Sequence, residues 1–151
     1  MKASSRSSCA MKFIALAGFV AILAVQLPAQ AQSQSQSAKQ ILPFMEERLG
    51  LSEYQVRGGI GVLLTFAQER LPKSQFDQLA KRLPSIDVLL EETHLRGIVS
   101  TPMDDKDDYE AVLAKLGIPT AKASQFASVV QEYLGTVGLY EERDTLSRAF
   151  D

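Results

Sequence analysis

From Ile41 onward, apolar residues return every three or four positions, and Gly and Pro cut that pattern into short pieces with no sustained alternation of apolar and polar residues. A strand that buries one face needs a two-residue period, so a chain written this way is expected to fold as helices packed on helices. The expectation is an all-α bundle of about six to seven short helices. The first spans residues 38–49, with Ile41, Leu42, Phe44, Met45 and Leu49 as its apolar set and Pro43 near its start. Ser52 and Gln55 then have capping-box spacing, in which each side chain satisfies a free backbone donor of the other. The helix they open runs to about residue 71, and Val56, Ile60, Leu63, Ala67 and Leu71 form its stripe. Val62 and Phe66 widen that stripe to a second face, which makes this helix central. Pro72 breaks it. A helix over 74–83 follows, carrying Phe76, Leu79, Ala80 and Leu83 on one side, and Pro84 ends it. A short helix is expected over 86–92, the longest ordered loop and internal boundary over 93–103, and further helices over 105–116, 120–134 and 140–150.

Shifting the chain by 67 positions lays Leu49-Gly50-Leu51 on Leu116-Gly117-Ile118, Val62 on Val129, Phe66 on Tyr133, Leu79 on Leu146 and Leu83 on Phe150, without a gap. Two similar halves, 40–92 and 104–150, would explain this. So would helix grammar used twice, because glycine commonly takes the left-handed residue after a helix while the next apolar side chain folds back on the last turn.

The N-terminus reads differently. Lys2, Arg6 and Lys12 precede an uncharged, mostly apolar run over 13–27, followed by Pro28-Ala29-Gln30-Ala31. That run is shorter than the ~20 residues a membrane-spanning helix needs, and Ala29 and Ala31 supply the small side chains a signal peptidase accepts. Residues 1–31 are thus expected to be a secretory signal cleaved after Ala31, leaving no stable membrane anchor and a location in the periplasm or medium. Residues 32–39 alternate Gln and Ser and read as a flexible linker before the helical domain, 40–151. Cys9, the only cysteine, precedes the apolar run, so neither a lipid-bearing cysteine nor a disulfide is expected in the exported chain.

All 18 acidic residues follow position 31, against 13 of the 16 basic ones, a balance of −5. Basic residues scattered singly or in one pair, Lys81-Arg82, do not build the counterion-releasing patch that binds nucleic acid, so no nucleic-acid partner is expected.

Leu49-Gly50-Leu51-Ser52, the segment Gly58-Gly59-Ile60-Gly61-Val62-Leu63-Leu64, then Phe76-x-x-Leu79-Ala80 and Leu83-Pro84 resemble a bacterial family of unknown function, the VcgC/VcgE-type proteins. The later Leu116-Gly117-Ile118 and Phe126-x-x-Val129-Val130-x-x-Tyr133 are similar to that family's C-terminal half, and the resemblance covers about residues 47–150. It departs at Arg57 and Pro72. The resemblance implies a small exported helical domain and supplies no catalytic residues.

Few residues invite a chemical role. His94, the only histidine, follows Glu91 by the three residues seen in carboxylate-bridged metal sites, but one copy cannot build such a site. Asp104, Asp105, Asp107, Asp108 and Glu110 lack the glycine and spaced glutamate of a calcium loop, and they suit a helix N-terminus. No serine elbow or phosphate-cradling loop appears, so no catalytic residue, metal or cofactor is assigned. Gly58, Gly59 and Gly61 lie inside an expected helix, where each costs up to ~1 kcal/mol relative to alanine, which points to close packing or to a partner face. The leading expectation is a non-enzymatic module that binds a protein, either itself or an envelope partner. The alternative is a binder of a small apolar ligand, with Phe44, Met45, Phe66 and Phe76 as possible lining, and a hydrolase is third.

Overall fold

The computed structural model describes residues 40–83 and 85–151, so the signal, the Gln/Ser linker and the stop at Pro84 lie outside the described residues. Within them the chain is all helix: α1 (Ile41–Leu49), α2 (Glu53–Arg70), α3 (Lys73–Arg82), α4 (Ile86–Leu95), α5 (Lys106–Lys115), α6 (Thr120–Thr136) and α7 (Tyr140–Ser147). Ser52 caps α2 as its spacing predicts: its Oγ accepts the Gln55 N–H at 3.4 Å, and its own N–H reaches Gln55 Oε1 at 3.0 Å. Gly50 and Gly117 close α1 and α5 at φ of +59° and +74°, and Leu51 and Ile118 after them are buried.

Helix starts repeat at 67 residues: Glu53 and Thr120 for the long helices, Lys73 and Tyr140 for those that follow. The packing repeats too. α2 lies against α1 and α5, α6 lies against both as well, and α3 meets its counterpart α7. Two polar contacts across the halves are reciprocal. Gln55 donates Nε2 to Gly117 O at 2.8 Å, and Lys122, its 67-shifted equivalent, donates Nζ to Gly50 O at 3.2 Å. Such exchange, in which residue i meets j′ and i′ meets j, is what a two-fold relation requires. Gly59 meets its own equivalent, Phe126, which places that contact on the axis.

Three boundaries differ from expectation. α4 continues to Leu95, and the loop over 93–103 begins correspondingly later, because Thr93 is buried against α2 and its hydroxyl bonds Leu89 O at 2.7 Å. α6 extends to Thr136, whose hydroxyl bonds Glu132 O at 3.0 Å, and α7 stops at Ser147. The loop after α4 is tied down at Met103, which is buried and donates its N–H to Glu69 Oε2 at 3.0 Å.

Candidate functional site

A cavity of about 330 Å³ lies mainly among the helices of the first half, closed in part by residues of the second. Ile41 and Leu42 of α1, Ile60, Leu63 and Leu64 of α2, Leu79 and Leu83 at α3, and Val130 and Tyr133 of α6 form most of its walls. α4 supplies a further wall through Ile86, Val88 and Leu89, and Leu139 and Leu146 at α7 complete it. α4 has no counterpart in the other half among the described residues, and it packs on α2. Gly61 makes that seat possible: a Cβ there would run into Thr93 Oγ1 and lie 2.8 Å from Leu89 O. Ser85 enters α4 at φ +76°, a left-handed conformation unusual for a residue with a side chain.

Arg57 brings charge to these apolar walls. Its Nη2 meets Glu92 Oε2 at 2.7 Å, and Arg96 meets Glu92 Oε1 at 2.6 Å. The hydrogen bond from Arg57 is the main reason that the Glu92 carboxyl sits below its ordinary pKa, with the charges of both arginines adding to it against partial burial. Tyr133 stacks on Phe44 at a centroid distance of 5.1 Å, and burial pushes its phenol pKa up. Among the described residues Ser85 and Tyr133 are the only hydroxyl side chains of the lining, and no carboxylate or imidazole joins them.

The second half fills the equivalent space. The 67-residue shift carries Leu42, Leu83 and Tyr133 onto Tyr109, Phe150 and Phe66, and these three rings pack together at 4.9–5.3 Å between centroids. What remains beside them is a smaller, more polar depression of about 170 Å³, where Ser124, Ala127 and Gln131 stand in place of Arg57, Ile60 and Leu64. Tyr109 is fully buried there, its hydroxyl has no hydrogen-bond partner among the described residues, and burial raises its pKa strongly, with the nearby Glu110 charge adding.

The residues singled out in the sequence are dispersed. Gly58, Gly59 and Gly61 face Leu116, Phe126 and Thr93 of the same chain: a Cβ on Gly58 would lie 3.0 Å from the Leu116 methyls, and one on Gly59 2.5 Å from Phe126 Cζ. His94 and Glu91 are exposed at the end of α4. Asp105 caps α5 by accepting the Asp108 N–H at 2.9 Å, while Asp108 accepts the Asp104 N–H at 3.1 Å. Among the described residues no group of three or more His, Cys, Asp or Glu side chains is arranged to hold a metal. Met45, Phe66 and Phe76 are core residues and Phe44 packs on Tyr133, so none of these four lines the cavity. Ala29 and Ala31 lie outside the described residues. Sequence reasoning missed Arg57, Leu83 and α4 as parts of a site. The available signal was the shift itself, which sets leucine at 42 and 83 against rings at 109 and 150.

A family profile for the proteins of unknown function VcgC/VcgE matches residues 18–149. The chain belongs to that family. No curated protein and no solved structure matches it. Membership in a family of unknown function leaves activity to be argued from the site. No helix among the described residues is long and apolar enough to cross a membrane.

Proposed function

We propose that this chain is an exported, non-enzymatic helical protein that holds a small apolar ligand in the cavity of its first half. The cavity carries the reading: it falls within the size range of small-molecule sites, its walls come from six helices, and its polar groups are few. Catalysis has less support, since among the described residues the lining offers no nucleophile paired with a base. Export rests on the basic, apolar and Ala-x-Ala order of residues 1–31, and mass spectrometry of the exported species should find cleavage between Ala31 and Gln32.

The binding test is titration of the chain with N-phenyl-1-naphthylamine, a neutral apolar fluorophore. Saturable, blue-shifted emission at one site per chain is expected. Leu42→Tyr together with Leu83→Phe, which copies the ring-bearing positions of the second half, should abolish it while the chain unfolds as cooperatively as before. Absence of uptake, or equal uptake by the plugged variant, would overturn the proposal.

A second reading, docking of a partner protein or a second copy, draws on Val88 and Leu95, which are 55% and 80% exposed and lie two turns apart on α4. Sedimentation of Leu95→Ser beside the parent chain tests it. A change of oligomeric state in the parent, lost in the variant, favours that reading.

A further inference from the structure

Resting on the apolar-ligand reading, the rim of the cavity bears on what the ligand's head and length must be. Among the described residues Arg57 is the one charged residue of the lining, and about a third of its side chain reaches solvent. It spends Nε and Nη2 on a single oxygen of Glu92, at 3.2 and 2.7 Å, which leaves Nη1 outside the pair. Glu92 also serves Arg96, so two guanidiniums share one carboxylate, and this group of three side chains sums to one positive charge beside an apolar opening. The plugged counterpart has Ser124 in place of Arg57, so this charge accompanies the open site alone.

We propose that the cavity takes a single-chain anionic amphiphile, its alkyl chain lying against Ile60, Leu64 and Leu83 and its anionic head at Arg57. At ~30 Å³ for each water-sized group, a volume of about 330 Å³ holds about eleven non-hydrogen atoms, which is one chain of medium length. A guanidinium suits the head because its fork matches the oxygens of a carboxylate or phosphate, and an ammonium head would meet like charge.

Calorimetric titration of the whole exported chain with decanoate, decanol and decyltrimethylammonium separates head from tail. One decanoate per chain is expected, bound about tenfold more tightly than decanol, with the cation weakest. Hexanoate and hexadecanoate should both bind less well than decanoate. Arg57→Gln should reduce decanoate to the affinity of decanol without altering decanol. Decanoyl lysophosphatidylglycerol distinguishes the sources of the anion: tighter binding than decanoate assigns the head to a lipid, weaker binding to a free acid. Decanol binding as tightly as decanoate, or an anion preference that survives Arg57→Gln, overturns the head assignment and leaves the apolar-ligand reading standing. If all of the ligands fail to bind, both fall. Uptake that appears only after removal of the residues before Gln40, or only on dissociation of a dimer, overturns the proposal in favour of the chain itself or a second copy as occupant.

Discussion

Around Phe66 the second half of the bundle assembles Phe66, Tyr109 and Phe150 into a closed cluster of rings, whereas the same backbone positions around Tyr133 carry Tyr133, Leu42 and Leu83 and enclose a cavity. Two aromatic side chains exchanged for leucine remove volume that the surrounding helices do not recover by collapsing. The reason lies in the walls. α4 sits closely on α2 over Gly61, and Arg82 of α3 pairs with the buried Glu142 of α7 at 3.3 Å, contacts that tie each of these walls to a neighbour. Apolar space left unfilled costs stability in proportion to its volume, so the open half is the less tightly packed of the two, and a bound apolar chain would restore the missing contacts. The difference teaches that a repeated scaffold can keep one site as core and leave the other available for binding.

Substitutions along α2 probe that scaffold most strongly. Gly59→Leu forces a branched side chain into the Phe126 ring on the axis shared by both halves, and denaturant unfolding should show a loss of about 3 kcal/mol with the oligomeric state unchanged. Unchanged stability with a lost oligomer would place this glycine at a partner interface instead. Gly61→Ser installs the residue found at the equivalent position 128, which is exposed in the second half. Here it should dislodge α4 and cost about 2 kcal/mol, while limited proteolysis becomes faster around residues 85–98. Full protection would mean that α4 does not depend on its glycine seat.

Phe150→Leu makes the closed site resemble the open one. It removes ring contacts to Phe66 and Tyr109, and thermal unfolding should report about 1 kcal/mol lost together with new uptake of apolar fluorophore in the second half. Retained stability without uptake would show that the second site collapses where the first does not. Glu92→Gln tests the charged rim. Because the folded Glu92 titrates below its usual 4.5, its contribution is present above that pH and disappears as pH falls through the lower folded value. The stability gap to the variant should therefore be at most about 1 kcal/mol near neutrality and close in acid. A gap that widens in acid would contradict the ion-pair assignment. The smallest effect is expected from Tyr109→Phe, since the buried hydroxyl it removes has no partner among the described residues, and unfolding should be unchanged or slightly shifted toward stability. A loss above about 1 kcal/mol would reveal a hydrogen bond at that hydroxyl.

Much of the architecture was legible in the sequence because it is written locally. The Ser52 and Gln55 capping pair, the glycine stops at 50 and 117 and the break at 72 each act on neighbouring residues, and the helices that follow begin within a few residues of where those signals stand. Errors arose where a distant contact decided. Thr93 reads as a weakly periodic loop residue, yet its burial over Gly61 carries α4 a further turn. Local signals likewise do not tell which aromatic residues pair. Phe66 and Phe76 read alike as cavity candidates, and both are core because of rings and helices far away in the chain.

By itself, then, the sequence determined the helical class, the order and approximate length of the helices, the glycines within α2 and the spacing of 67 residues between similar segments, all of which depend on side chains a few positions apart or on direct comparison of one segment with another. Only the tertiary structure decided that Gln55 and Lys122 exchange partners across the halves, that Gly59 meets Phe126, and that Leu42, Leu83 and Tyr133 surround space where Tyr109, Phe150 and Phe66 exclude it. A cavity is the volume left over when many side chains from separate helices have packed, and that remainder depends on how the helices come together in space.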